Sequence, residues 1–533
     1  MGTRQSRPAC TPELPDDLGT IAKKYRAYNF PFENLVLEGG GAKGTAYIGA
    51  MKVLEEAGIM KSIKRFAGTS AGAATAGLMS IGMTSDEMVA EMGNVDMDRT
   101  LMDSPWWSHG PVKLLFYGRK YFKNFGVYRG EEFISWYGGV IYRHLQKHHS
   151  TKGLDENINL NQLRNVFGKE LCTVTYNLTY GMEMYCHVKT TPLCTVRQAV
   201  RMSMSLPGVF EPYKFEKEPD LYIDGGVCAN FPIYCYDGWW LSMDDQDSFQ
   251  RRLEEEKDDV KTTSYFYQQY IEARFQPENV SQEQRKQQLQ KTLGLMLYSN
   301  TNRKAHQHVF SKRLEVFREQ EGRLNNKRPD TKLSRKYQRN EESNNKRVRD
   351  DIKAMENEND EKKKKLEKVL KVARNREDMF QRFKEVFPDK EELRDFSDGA
   401  DSYEVVFDIL FAKYKGGPVT ADTVKSVYNN WEPFRKKLME VVPQRIIDTS
   451  AELTTKYVEL VGQSKPIKEE DVGRCIAIDV DYVGTLDFNM EPADQTFLMR
   501  QGALATLAFL EDYVKRNNLQ PSNGTSTEHP DNT

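Results

Sequence analysis

The stretches that decide the fold of this chain read Glu-Gly-Gly-Gly-Ala-Lys-Gly at residues 38–44 and Gly-Thr-Ser-Ala-Gly at residues 68–72. The first lies between a short apolar run at 35–37 and a helical pattern at 45–56. The second has the same setting, with an apolar run before it and a helix of small residues after it. Strand, glycine turn and helix, repeated in this way, are typical of α/β proteins.

The first glycine turn is suited to binding a negative charge. Three consecutive glycines let the backbone turn and present N–H groups without interference from side chains. The N-terminus of the following helix adds partial positive charge. The sequence therefore predicts an oxyanion hole formed by Gly39, Gly40, Gly41, Ala42, Lys43 and Gly44. Two roles stay open for Lys43: neutralising a phosphate or an oxyanion, or ending the loop with its side chain in solvent.

Nucleotide binding is an alternative for the same turn, because Gly39, Gly41 and Gly44 formally match the pattern G-x-G-x-x-G. A dinucleotide-binding unit also needs an acidic residue about 20 residues further on, at the end of a second strand. Glu55 and Glu56 fall near that distance but lie inside the helical pattern. A Walker A loop is excluded, because this turn has no Gly-Lys-Ser or Gly-Lys-Thr ending.

The second turn fits the nucleophile elbow of serine hydrolases, G-x-S-x-G. Residues 63–67 are the predicted strand before it, and residues 71–83 are the predicted helix after it. Gly68 and Gly72 permit the tight bend between them, which exposes the hydroxyl of Ser70 at a helix N-terminus. The sequence therefore predicts Ser70 as a nucleophile.

A third element, Asp224-Gly225-Gly226, supplies a general base. An α/β-hydrolase places its acid and then its histidine after the serine. The histidines that follow Asp224 lie in a polar segment or near the end of the sequence, at positions 306, 308 and 529. Asp224 itself follows the predicted strand 221–223, and the two glycines allow close approach at its end. We therefore expect a Ser–Asp dyad in which Asp224 takes the proton of Ser70 and an acyl-enzyme forms.

Composition bears on the class of protein and its compartment. The chain has 533 residues and a net charge of −2, which gives no reason to expect a nucleic-acid partner. Its seven cysteines form no C-x-x-C pair, which argues against a disulfide framework or a zinc site and favours a cytoplasmic location. The N-terminus lacks the apolar stretch of a signal peptide. The longest weakly polar run, residues 70–83, is shorter than the roughly 18 apolar residues of a membrane span.

The chain divides by composition into five parts. Residues 1–30 and 517–533 are polar tails. Residues 31–240 and 471–516 have α/β character, with a predicted strand at 475–480 and a predicted helix at 493–514. Residues 241–470 are expected to form a mainly helical insertion. Within it, 23 of the 40 residues from 341 to 380 are charged. A thin apolar seam, which includes Leu366, Val369, Phe383 and Phe387, predicts a long, partly exposed helix or helical hairpin.

These motifs resemble those of the patatin-like phospholipases. That family combines a glycine-rich oxyanion loop, a G-x-S-x-G serine and an aspartate in D-G-[GA], and residues 38–44, 68–72 and 224–226 match all three in order. Residues 199–212, Asn230 and Pro232 fit the family's pattern around the aspartate. The resemblance covers about 31–240 and 471–516. It implies a three-layer α/β fold with a central, mostly parallel sheet, to which the charged helical insertion at 241–470 is added.

The resemblance also implies calcium-independent hydrolysis of lipid acyl esters, with no cofactor or metal and with the phospholipid membrane as substrate. A phospholipase A-type activity is the expected function. A triacylglycerol or lysophospholipid lipase is the nearest alternative, because the shape of the acyl pocket separates them. A membrane-tethered scaffold is the alternative from another class. In both readings the insertion at 241–470 offers a surface for a protein partner, such as an activator.

Two features predict peripheral membrane association. Residues 1–6 fit the myristoylation pattern, so Gly2 is a candidate lipidation site, and Cys10 is a candidate for the second lipid that stable anchoring needs. Residues 104–130 contain aromatic and basic residues but no acidic ones, which suits a lipid interface. An unmodified tail and a packed subdomain wall are the respective alternatives.

Overall fold

The structure is a computed structural model. It describes residues 11–93, 125–150, 153–215, 219–242, 281–299, 306–322, 326–372, 375–397, 402–414, 420–429 and 467–522, together with residues 100, 275, 324 and 399–400. These residues form two compact units, one within 1–335 and 453–533 and the other within 336–452.

The first unit is built around a mixed sheet of seven strands. The strands are β1 (Asn34–Leu37), β2 (Arg65–Gly68), β3 (Glu170–Asn177), β4 (Met182–Cys186), β5 (Tyr222–Asp224), β6 (Thr292–Tyr298) and β7 (Cys475–Asp479). They follow the order β4-β3-β2-β1-β6-β7, and β5 pairs with β3. The central pairs from β3 to β7 are parallel, whereas β4 and β5 run antiparallel to β3. The predicted mostly parallel sheet is confirmed.

Both faces of the sheet are covered at β1, which explains why residues 35–37 are all apolar instead of alternating with polar residues. In β1, Val36 joins a buried cluster with Ala67 and Met296, while its neighbours Leu35 and Leu37 are buried as well. Successive side chains of a strand point to opposite faces, so both faces of β1 are core. The sheet thus holds its strand ends, and the turns that follow them, in fixed positions.

Helices and short 3₁₀ turns join these strands. The helices of the first unit are α1 (Asp16–Ala22), α2 (Ala46–Glu56), α3 (Ala71–Ser80), α4 (Ser85–Gly93), α5 (Glu131–His149), α6 (Leu160–Phe167), α7 (Val196–Ser203), α8 (Gly226–Ala229), α9 (Trp239–Ser242), α10 (Gln282–Gln290) and α11 (Gln307–Gln320). Further along the chain, α12 (Lys332–Val372), α13 (Arg376–Val386), α14 (Lys390–Phe396), α15 (Tyr403–Phe411) and α16 (Ala421–Asn429) precede α17 (Glu469–Val472) and α18 (Pro492–Arg516). Within the described ranges, no helix is long and apolar enough to cross a membrane.

Helix α18 packs against α2, the helix that follows the first glycine turn. At their crossing, a Cβ atom added to Gly49 would lie 1.7 Å from the carbonyl oxygen of Met499, and one added to Gly502 would lie 1.9 Å from that of Ala46. The two backbones are therefore in direct contact. The close packing explains why residues 471–516 have the composition of a core element although they follow the charged region.

The second unit has a hydrophobic core of its own, rich in aromatic rings. Leu366 and Val369 of the charged helix α12 pack with Phe383 and Phe387 of the next segment, and all four side chains are buried. These four belong to the apolar seam that was predicted from the sequence. Asn375 caps α13 by accepting a hydrogen bond from the N–H of Asp378 at 2.8 Å. The long helix therefore ends and a second begins, as in the helical-hairpin interpretation.

The expected boundary of the insertion at 241 is wrong for one segment. Strand β6 lies inside 241–470, yet it forms the centre of the sheet between β1 and β7. Its sequence, Thr-Leu-Gly-Leu-Met-Leu-Tyr, is buried at every position. A short apolar run surrounded by charged sequence gives little periodic signal, so composition alone assigned it to the helical region. The separate compact unit begins only at 336.

Candidate active site

Ser70 lies on a sharp turn between β2 and α3, as the sequence predicts. Its backbone has φ 54° and ψ −124°, a region that residues with a side chain rarely adopt. A Cβ on Gly68 would lie 2.4 Å from the carbonyl carbon of Gly72, and one on Gly72 would lie 2.5 Å from the carbonyl oxygen of Leu37. Glycine at both positions is what lets the helix start this close to the strand.

The side chain of Ser70 lies close enough to the carboxylate of Asp224 to lower the pKa of that carboxylate. Asp224 is the last residue of β5 and is only 2% exposed. Its Oδ1 accepts a hydrogen bond from the N–H of Gly226 at 2.7 Å, which fixes the carboxylate. Burial raises the pKa of Asp224 from its ordinary 3.8 to about 7, although the hydrogen bond from Gly226 and the side chain of Ser70 oppose the rise. A carboxylate with this pKa can accept a proton near neutral pH.

Ser203 and Ser205 hold the backbone of the two members of this pair, and neither serine was singled out from the sequence. The hydroxyl of Ser203 accepts a hydrogen bond from the backbone N–H of Ser70 at 2.9 Å and donates one to the carbonyl oxygen of Val174 at 2.6 Å. The next serine, Ser205, accepts the backbone N–H of Asp224 at its carbonyl oxygen, at 2.9 Å. Both serines lie in the segment 199–212 that carries the family resemblance. That resemblance was the sequence signal that could have identified them.

The first glycine turn uses some of its N–H groups to hold its own shape. Gly39 donates to the carbonyl oxygen of Asn230 at 2.9 Å, Ala42 to that of Thr485 at 3.0 Å, and Lys43 to that of Gly40 at 3.2 Å. In the described part of the chain, no carbonyl accepts the N–H of Gly40 or Gly41. These two groups are therefore the ones that remain for an oxyanion among the six predicted residues.

Neighbouring chain packs tightly around this turn. Gly41 has φ +55°, and a Cβ there would lie 2.1 Å from the carbonyl oxygen of Thr485. A Cβ on Gly39 would lie 2.2 Å from Oδ1 of Asn230, and one on Gly44 would lie 3.1 Å from the Cβ of Ala71, beside the nucleophile. The loop and the elbow are thus in contact, which brings the predicted oxyanion residues next to Ser70.

Lys43 is only 7% exposed. The alternative in which its side chain faces solvent is therefore wrong. A lysine at the end of a turn is usually solvated, and only the packing of the loop makes this one buried.

Glu38 connects the turn to the aspartate segment. One carboxylate oxygen accepts the N–H of Leu297 at 2.8 Å, and the other accepts Nδ2 of Asn230 at 3.3 Å. Asn230 also donates Nδ2 to the carbonyl oxygen of Gly39 at 3.1 Å. The first glycine turn and Asn230, which follows the aspartate motif, are therefore joined by hydrogen bonds although they are distant along the chain.

A mostly apolar cavity opens beside the elbow. Its lining includes the glycine turn, the start of α3, and side chains from α4 and α5 such as Met88, Phe133 and Tyr137. None of the histidines in the described ranges lines it or hydrogen-bonds Ser70 or Asp224. The cavity reaches Ala71, the residue after the nucleophile, and its walls are mostly apolar, as a binding site for an acyl chain requires.

Some predictions lie outside the described residues. These are the candidate lipidation sites Gly2 and Cys10 and the aromatic and basic residues at 104–124. Peripheral membrane association and the lipid-interface interpretation of 104–130 therefore stay predictions.

The comparisons with known proteins agree with this geometry at the level of family. Residues 35–234 match the model of the patatin-like phospholipase family. The uncharacterized protein YqhO of Bacillus subtilis (strain 168) is 33% identical over 213 residues, covering 38% of this chain and 65% of the relative. A protein of Invertebrate iridescent virus 6 named "Probable lipid hydrolase 463L" is 27% identical over 202 residues, covering 38% of this chain and 62% of the relative. The chain thus spans less than two thirds of the length of both relatives.

Among solved structures, VipD from Legionella pneumophila aligns over 91% of this chain and 68% of its own, with 14% identity and a TM-score of 0.37. A similarity that weak carries no argument about function. The family match includes the first glycine turn, the serine elbow and the aspartate segment, on a mostly parallel sheet of the expected kind. Residues 35–234 are therefore a patatin-like phospholipase domain.

Proposed function

We propose that this protein hydrolyses acyl esters of glycerophospholipids through a Ser70–Asp224 dyad. The observation that carries the proposal is the approach of the Ser70 side chain to the buried carboxylate of Asp224, which is close enough to lower the pKa of that carboxylate. It joins a nucleophile to a base whose pKa is matched to neutral pH. The lipid substrate is also supported by the family of residues 35–234 and by the name of the viral relative.

In the acylation step, Asp224 takes the proton of Ser70 while the serine oxygen attacks the ester carbonyl. The carbonyl oxygen gains the negative charge, and the N–H groups of Gly40 and Gly41 stabilise it. The tetrahedral intermediate then collapses, the alcohol portion of the lipid leaves with the proton from Asp224, and the acyl group stays on Ser70.

In the second step, Asp224 takes a proton from water, and the resulting hydroxide attacks the acyl-enzyme. Collapse releases the fatty acid, and Asp224 returns the proton to the serine oxygen. Because Gly226 holds Oδ1 of Asp224 in place, the carboxylate serves both steps without moving. The acyl chain occupies the apolar cavity between α4 and α5 in both.

The test is fatty-acid release from phosphatidylcholine vesicles in EDTA, comparing the native protein with Ser70→Ala. Native protein should release fatty acid, and Ser70→Ala should release none above background. Ser281→Ala is the matched control, because that hydroxyl caps α10 and lines no part of the cavity. Equal release by native protein and Ser70→Ala would refute the mechanism.

A panel of lipids separates the neighbouring activities. Release only from triacylglycerol or from lysophospholipid would assign the alternative lipases, which share the dyad. Release only after addition of cell lysate would favour an activator that binds the helical region, as proposed for 241–470. No release from any ester by folded protein would favour the membrane-tethered scaffold over an enzyme.

A further inference from the structure

A second cluster of reactive side chains lies where α4 meets α5. It contains Glu87 of α4 and His144 and His148 of α5, and one ligand atom from each lies within 4.8 Å of the others. The two histidines are four residues apart, so they share one face of the helix. The proposed hydrolysis makes no use of these residues.

The proton on His144 is placed by its surroundings. Nε2 lies 3.1 Å from the carbonyl oxygen of Ile81, which can only accept, so Nε2 carries the hydrogen and donates it. Nδ1 of the neutral ring is then a bare lone pair. It is buried without a hydrogen-bond partner, in a residue that is 6% exposed.

That lone pair points at a carboxylate. Nδ1 of His144 lies 3.3 Å from Oε2 of Glu87, which forms an ion pair only if the ring is protonated. A histidine that binds a metal is neutral, and in the neutral ring this nitrogen offers a lone pair to the same space as the carboxylate. The lone pairs of His144 Nδ1 and Glu87 Oε2 therefore face each other at 3.3 Å, and a cation bound between them would stabilise this arrangement.

His148 can reach the same ion. Its Nε2 hydrogen-bonds Oε1 of Glu87 at 2.6 Å, and it gives up this bond when it binds the cation. Ligand atoms about 2.0–2.1 Å from a tetrahedral zinc ion stand roughly 3.3 Å apart, which is the separation of His144 from Glu87. A metal-binding histidine usually donates its other ring N–H to a carbonyl, as His144 does to Ile81. His148 is partly exposed, so water can reach the bound ion from the side that the protein does not cover.

We propose that Glu87, His144 and His148 bind a divalent transition-metal cation, with zinc as the best match. Two imidazoles and one carboxylate are ligands that suit this class of metal and disfavour calcium or magnesium. The ion would join α4 to α5, the two helices that supply Met88 and Phe133 to the wall of the acyl cavity. Its position gives it no part in the proposed dyad chemistry.

Lys147 competes for the same carboxylate. Its Nζ donates to Oε1 of Glu87 at 3.0 Å. The lysine ammonium must therefore move aside when the cation binds. This competition gives the test a variant whose effect has the opposite sign.

The experiment is a titration of Zn²⁺ into the full chain after chelator treatment, followed by calorimetry. The native protein should bind one equivalent through this site. His148→Asn and Glu87→Gln should each weaken binding more than about tenfold, since even loss of a supporting partner of a ligand costs 10–100-fold. Lys147→Gln should tighten binding, and His308→Asn, an exposed histidine on α11, should leave it unchanged.

Co²⁺ provides a readout that does not depend on the heat signal, because its visible spectrum reports the nitrogen and oxygen ligands directly. The band should appear with the native protein and disappear with His148→Asn. Absence of zinc binding, or binding unaffected by His148→Asn and Glu87→Gln, would overturn the proposal, as would weaker binding by Lys147→Gln. The titration needs no turnover and can be run on Ser70→Ala, so its result is independent of the proposed hydrolysis.

Discussion

The candidate active site and the helical unit at 336–452 are held together in opposite ways. Around Ser70, backbone atoms already occupy the space that a Cβ atom would need if Gly68 or Gly72 were replaced by a larger residue. In the helical unit, aromatic side chains such as Phe383 and Phe407 fill the core, with ring centroids 5.6 Å apart. Backbone contact fixes a geometry and tolerates little change, whereas a side-chain core fixes a volume and can be repacked.

The largest effect should come from Asp224→Asn, which tests whether Asp224 acts as the general base of the rigid site. Asparagine keeps the acceptor for the N–H of Gly226 but cannot take a proton, so the rate should fall about 10²–10⁴-fold. For the native protein, kcat/KM should rise as pH increases through about 7, the pKa of Asp224. Initial rates on a soluble ester across this range are the measurement. A profile that is flat from pH 5 to 9 would contradict the role of Asp224.

The same substitution should make the protein more stable. The folded state binds a proton on Asp224 more tightly than the unfolded state, so this group contributes stability below pH 3.8 that is lost as pH rises to about 7. A pKa change of this size corresponds to about 4 kcal/mol. Asp224→Asn should therefore unfold at a higher temperature than native protein at pH 8, and the two should converge near pH 4.

The next effect tests the side-chain core. Phe383 is fully buried, and Phe383→Ala should cost the helical unit about 3–5 kcal/mol. We expect proteolysis within 336–452 to accelerate while hydrolysis of a soluble ester stays within about twofold of native. Val405→Ala, at a side chain that is 52% exposed on α15, is the control and should change neither. Parallel loss of both properties would mean that the two units fold as one.

The smallest effect tests the backbone contacts themselves. Gly72→Ala adds a Cβ that meets the carbonyl oxygens of Leu37 and Glu38 at 2.5 and 2.6 Å, and neither can move without disturbing β1. We expect a loss of about 1–3 kcal/mol from the first unit by thermal denaturation, together with lower activity. Gly19→Ala is the matched control, because its nearest neighbour would be a flexible side chain at 3.4 Å. Equal stability of the two variants would show that the elbow can relax.

The sequence predicted those features that a backbone geometry demands. The elbow at Ser70 and the turn at 39–44 need glycine at fixed positions, and their strand and helix settings are confirmed. The roles of Ser70, Asp224 and the oxyanion residues stay predictions until activity is measured. The mostly parallel sheet is predicted correctly, because apolar runs mark its strands. Strand β6 is not predicted, because charged sequence surrounds it.

Contacts between distant segments could not be predicted from local patterns. Nothing around Thr485 indicates that its carbonyl oxygen accepts the N–H of Ala42, since only the fold brings the two together. Likewise, Ser203 looks like an ordinary helix residue until its hydroxyl meets the N–H of Ser70. The burial of Lys43 belongs to the same class. Such features depend on tertiary packing, which a window of sequence does not contain.

The hydrogen bond between Ala42 and Thr485 has a consequence for the order in which the protein is made. Thr485 follows Ala42 by 443 residues, so at 5–20 residues per second a ribosome reaches it on the order of 20 to 90 seconds later. Throughout that time the nucleophile elbow exists without the strand β7 and the segment that hold the oxyanion loop in place. A nascent chain that has not yet reached Thr485 is therefore expected to carry the serine and the aspartate but to remain inert toward lipid.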